Sequence, residues 1–133
     1  MLGLTSAVRI FVCTTPADMR RSFDGLAGMA SELVGEDPLS GHLFLFRNRR
    51  RDRLKILYWD TDGLCIWYKR LEQGTFPLPS DRVEAGASRV SSVEAEDKGS
   101  ARWEIQTDEL AMLLGGIDLT SVRRQRRYQR PAG

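Results

Sequence analysis

The chain has 133 residues, 41% of them hydrophobic and 29% charged, with a formal net charge of +2 at pH 7. That is one domain's worth of a soluble globular protein, with core material but no apolar run long enough to span a membrane. Residues 1–12 lack the basic opening and small-residue cleavage site of a secretory signal, so none is expected. Cys13 and Cys65 fall in expected strands without metal-ligand spacing, which reads as buried, reduced thiols and a cytoplasmic location.

In chain order, residues 8–13 read as a first strand, Val8, Ile10 and Val12 alternating with Arg9 and Phe11. A helix over residues 16–34 is expected next. Thr15 can cap it, Pro16 suits its first position, and Asp18 sits where a capping box wants an acid. Met19, Phe23, Leu26, Ala30 and Leu33 recur at helical spacing, and Gly35 is a fitting stop. Gly25 and Gly28 weaken that helix, a cost that would be understandable if it lies close against the sheet.

Residues 41–71, GHLFLFRNRRRDRLKILYWDTDGLCIWYKRL, are the centre of the sequence. They read as a three-strand meander with strands at 42–46, 54–59 and 64–68. The first turn is the arginine-rich stretch 47–53. The second, residues 60–63, ends in Asp-Gly, a hairpin signal because glycine tolerates positive φ.

Gly74, Pro77 and Pro79 make residues 71–79 irregular. Residues 80–100 are small and polar, and read as a flexible linker or exposed loop. A short strand follows at 102–106, then a helix capped by Thr107, holding Leu110, Leu113 and Leu114 and stopped by Gly115-Gly116. Residues 120–133 read as a basic disordered tail, in which Arg123, Arg124, Arg126, Arg127 and Arg130 meet no acid.

Two basic patches therefore stand out. Arg47, Arg49, Arg50, Arg51, Arg53 and Lys55 form a compact knob, and the tail arginines a second. Guanidinium groups grip phosphates as bidentate donors, and neutralising phosphates releases counterions. Tyr58, Trp59, Trp67 and Tyr68 in the adjoining strands could stack unpaired bases, although alternation buries at least half of them. Catalytic signals are weaker. Asp18 reads as a cap and Asp60 and Asp62 as turn formers, leaving Asp24 without a metal-binding set. The single histidine, His42, has no nucleophile motif near it, and no phosphate-binding glycine loop occurs. Neither enzyme activity, nor a cofactor, nor a small-molecule ligand is expected.

The motifs resemble a known family. DMRRSFDGL at 18–26, Asp37-Pro38, Ser40-Gly41, FLFRNRRRDRLKILYWD at 44–60, GLCIWYKRLEQG at 63–74 and LAMLLGGID at 110–118 are similar to the small TnpB accessory protein of IS66-class bacterial insertion elements. That family is unrelated to the RNA-guided nuclease sharing the label. Leu78 and Leu119 stand where tryptophan would be expected, and the linker is longer than usual. The resemblance implies a role in DNA transposition beside a separate DDE-type transposase, with no catalytic residues to carry over.

The sequence thus leads to a compact α+β domain: a mainly antiparallel sheet with the 16–34 helix on one face, residues 1–79 forming the core and 101–119 packing on it. An independent C-terminal appendage is the alternative. The leading function is an accessory protein contacting DNA through both arginine patches. The competing one is a protein–protein adaptor docking on the transposase through Arg20 and Arg21, or through Leu110, Leu113 and Leu114.

Overall fold

A computed structural model of the chain describes residues 7–79, 81, 101–115, 117–118 and 123–124. The elements are β1 (Ile10–Cys13), α1 (Phe23–Met29) with a π-helical continuation (Ala30–Val34), β2 (Leu43–Arg47), β3 (Arg53–Asp60) and β4 (Gly63–Arg70). Further along the chain come β5 (Arg102–Ile105), α2 (Thr107–Gly115) and a small antiparallel pair, β6 (Ile117–Asp118) with β7 (Arg123–Arg124).

β1 to β5 make one five-stranded sheet in the order β4-β3-β2-β1-β5. The meander is present as read, antiparallel from β2 through β4, with Phe44 opposite Leu57 and Leu57 opposite Ile66. β1 lies beside β2 in parallel, Phe11 opposite Phe44, because the α1 crossover returns the chain in the same direction. β5 closes the other side of β1, antiparallel.

The sheet is covered on both faces, not on one. Phe11, Cys13, Phe44, Phe46 and Leu57 pack against Leu26, Met29, Ala30 and Val34 of the first helix. Ile10, Val12, Leu43, Leu45, Leu54 and Ile56 pack against Phe76, Leu78, Leu110 and Leu113. Central strand β1 is therefore buried at every residue, and its sequence lacks the apolar–polar alternation of a half-exposed strand. The C-terminal strand and helix belong to this core. The N-cap of α2 is Gln106 rather than Thr107: the Gln106 N–H donates to Glu109 Oε1 at 2.7 Å, half of a capping box.

The first helix starts at Phe23, later than Pro16. Asp18 does not cap it. Its carboxylate accepts the Arg20 N–H at 2.9 Å and the Arg20 guanidinium at 2.7 Å, bending residues 18–21 into a turn. The Ala17 N–H donates to the Arg47 carbonyl, and Lys55 Nζ donates to the Met19 and Arg21 carbonyls, 2.8 Å each. Carbonyls held this way are withdrawn from a helical ladder. The stop is as read, since Gly35 adopts φ 80° and closes on Ala30 O at 2.9 Å. Gly28 does not mark contact with the sheet, since a Cβ there would meet nothing within 4 Å, and the three atoms nearest a Cβ on Gly25 all belong to the Arg21 side chain. In the second turn the left-handed residue is Thr61, φ 54°, rather than Gly63.

Because Leu113 fills the second core face, Leu113→Ala should destabilise the protein by roughly 2–5 kcal/mol in urea unfolding, and Leu114→Ala by clearly less.

Candidate nucleic-acid interface

The structure divides the basic residues of the first patch into two kinds. Arg47, at the end of β2, is only 7% exposed. Its guanidinium grips Asp81 with both terminal nitrogens, at 2.6 and 2.9 Å, and donates to the Phe76 carbonyl at 2.7 Å. Asp81 also accepts the Leu78 N–H at 2.9 Å. Burial pushes the Asp81 carboxyl up, but the Arg47 guanidinium and that N–H outweigh it and hold it below the usual carboxylate range. Lys55 is equally buried, its ammonium spent on the Met19 and Arg21 carbonyls and set 4.7 Å from the Tyr68 ring centroid. Neither cation is presented to a phosphate. Both leave the proposed contact set because their donors are used inside the fold.

Arg49 and Arg50 point the other way. They are exposed at the tip of the β2–β3 turn, whose shape comes from Asn48. Asn48 Oδ1 accepts the Arg53 N–H at 3.0 Å while its Nδ2 donates to Asp52 at 2.8 Å, the main cause of the low Asp52 pKa. Arg51 takes φ 69° and brings its guanidinium 3.6 Å from Asp81, with 43% of its side chain still exposed. Arg53 is half-buried opposite Arg70, which pairs with Glu72 at 3.2 Å.

A cleft of about 240 Å³ opens where the parallel strands β1 and β2 end. Cys13, Thr14 and Pro16 form one wall, and Arg47, Asn48, Arg49 and Arg51 the other, with no acid among its lining residues. The carboxyl ends of neighbouring parallel strands are a common place for ligand crevices. Burial pushes the Cys13 thiol up, so it lines the cleft as a neutral group rather than a thiolate.

Elsewhere, Arg20 and Arg21 are exposed as the adaptor reading requires, and the Arg20 guanidinium holds Asp18 down at about 2. Leu110 and Leu113 are not available for docking, being 3% and 0% exposed, and Leu114 packs on the same core. In the tail, Arg123 and Arg124 form β7, and Arg126 and Arg127 lie outside the described residues. Of the aromatics, Tyr58 and Trp67 pack against the core, while Tyr68 is 47% exposed. His42 Nδ1 accepts the Arg9 N–H at 3.0 Å, a strand-to-strand link. Among the described residues no group of three or more His, Cys, Asp or Glu could hold a metal, and no helix is long and apolar enough to cross a membrane.

Sequence alone could have found Lys55, because strand alternation from the buried Leu57 sets it on the core face. Asp81 had no such signal.

The family model for IS66 Orf2-like proteins matches residues 8–96, which includes the whole meander, the arginine turn and the first helix. The chain belongs to the IS66 Orf2-like family. It is an accessory protein associated with transposition of IS66-class insertion elements. Two proteins of Sinorhizobium fredii (strain NBRC 101917 / NGR234) are similar along most of their length. Uncharacterized protein y4jC is 34% identical over 125 residues, covering 94% of this chain and 92% of its own. Uncharacterized protein y4hO is 36% identical over 118 residues, covering 89% and 88%. No solved structure matches the chain.

The lowered Asp81 pKa makes the Arg47 pair pH-dependent in one direction. Its stabilisation is fully present above the ordinary aspartate value of about 3.9 and is lost as pH falls through the lower folded value. Asp81→Asn should therefore cost roughly 3 kcal/mol at pH 7 in urea unfolding and flatten the loss of stability on acidification below about pH 5.

Proposed function

We propose that this IS66 Orf2-like protein contacts nucleic acid through the β2–β3 turn and the cleft beneath it, as an accessory to a separate transposase in the bacterial cytoplasm. The acid-free cleft rimmed by Arg49 and Arg51 carries this reading. Asp81 is shared by Arg47 and Arg51, and Asp52 is the one acid within the turn, so the five arginines from Arg47 to Arg53 still outnumber their carboxylate partners. Guanidinium forks on a firm turn suit phosphate oxygens, and such contacts add affinity without base specificity. Arg49, Arg50, Arg51 and Arg53 are the proposed contacts here, with Arg123, Arg124, Arg126 and Arg127 adding affinity from the tail.

One observation favours an adaptor as the second reading. Arg20 and Arg21 are exposed beside Phe23, which is 44% exposed, and the Lys55 clamp makes this loop a preformed surface for a protein partner.

Fluorescence anisotropy with labelled duplex and single-stranded DNA at two salt concentrations tests the first reading. Binding should be salt-sensitive. Arg49→Ala/Arg50→Ala should lower the salt slope by about 0.9 for each lost contact, while Arg20→Ala/Arg21→Ala leaves it unchanged. Binding lost only on truncation after Leu119 would transfer the interface to the tail. No binding at low salt would remove the reading and leave the adaptor, to be tested by capture of the transposase with and without Arg20→Ala/Arg21→Ala.

A further inference from the structure

The two edges of the sheet are built differently. β5 is four residues long, and its Arg102 and Glu104 are held in ion pairs with Glu36 and Arg9, 2.7 Å each. Short length and charge are how natural sheets discourage an added strand. β4 is eight residues long and pairs with β3 along its whole length, from Gly63 opposite Asp60 to Arg70 opposite Arg53. Among the described residues no strand pairs with its outer side. An edge strand directs alternate backbone N–H and C=O groups outward, and between Leu64 and Tyr68 this edge carries no charge, proline or glycine.

We infer that β4 is a self-association edge, pairing antiparallel with β4 of a second copy so that two sheets join into one. A two-fold axis normal to the sheet keeps each residue on its own face, so the axis must pass through a residue position. The two registers with the longest overlap are centred on Ile66 and on Trp67. Centred on Ile66, Leu64 meets Tyr68 of the second copy, Cys65 meets Trp67, and Arg70 comes level with Asp62 in the turn that leads into the second copy's β4. Apolar pairs fill the middle and opposite charges close both ends. Centred on Trp67, Arg70 meets Leu64 and Lys69 meets Cys65, and Asp62 has no partner. Cross-strand pair chemistry selects the Ile66 register. Charge also selects a second copy over an unrelated strand, since acidic Asp62 stands in the turn just before β4 and basic Lys69 and Arg70 end the strand, a polarity that antiparallel self-pairing satisfies twice. The joined sheet carries an arginine turn towards each end. The inference is independent of whether those turns touch DNA.

Site-specific cross-linking with sedimentation tests it on the full chain. In a Cys65→Ser background, Ile66→Cys sets two thiols across the axis at cross-strand distance, within disulfide reach. Mild oxidation should convert that variant to a covalent dimer, while Leu64→Cys in the same background, displaced along the strand, should form no cross-link. Circular dichroism confirms that both variants are folded. By sedimentation the unmodified protein should be a dimer, Arg70→Asp should weaken it about tenfold, and adding Asp62→Arg should restore it. A protein monomeric at every concentration overturns the inference. So does equal cross-linking of both cysteine variants, or an Arg70→Asp defect that Asp62→Arg leaves unrepaired.

Discussion

A guanidinium at the end of a buried strand needs a fixed counter-charge, and the pairing of Arg47 with Asp81 supplies it across 34 residues of sequence. Removing one partner would leave the other desolvated, the costly state for a buried ion. The pair also positions the chain between its members. Arg47 holds the Phe76 carbonyl and Asp81 holds the Leu78 N–H, which seats Phe76 and Leu78 on the second face of the sheet. The same segment returns two backbone bonds to the arginine turn, Phe76 N–H to Arg51 O at 2.7 Å and Leu71 N–H to Asp52 O at 2.8 Å. Core and turn thus share one electrostatic anchor. Lys55 plays the matching part on the other face, fixing the loop before α1 by its carbonyls.

What was readable from sequence followed from short-range rules. The meander, the Gly35 stop and the C-terminal strand–helix unit were legible because strand runs, turn residues and helical spacing are local signals. The helix start was not. Asp18 and Pro16 satisfy the capping rules, but Asp18 prefers the neighbouring Arg20, and Lys55 draws off carbonyls from 36 and 34 residues away. Burial of β1 on both faces depends on Phe76 and Leu78, which sit in a proline-rich stretch with no periodicity.

The candidate site was half legible for the same reason. The five arginines from Arg47 to Arg53 look alike by composition, yet their roles are set by what lies opposite in space. Arg47 faces Asp81, which composition assigns to a polar linker, whereas Arg49 and Arg50 face solvent. Leu110 and Leu113 show the converse. Their spacing marked an apolar helix face but could not tell whether a partner or the protein's own sheet covers it, and the sheet does. The resulting picture is of a compact scaffold in an insertion-element accessory family that neutralises its internal cations and keeps the remaining ones on a shaped rim. An adaptor role would draw instead on the loop fixed by Lys55.

That division of cations is the central claim, and arginine and lysine side-chain NMR tests it most directly. During titration with a short DNA duplex, the Nε–H signals of Arg49 and Arg50 should shift progressively, while Arg47 Nε–H and Lys55 Nζ stay fixed and protected from solvent exchange. Rapid exchange at Arg47 and Lys55, or shifts there as large as at the turn tip, would contradict the account.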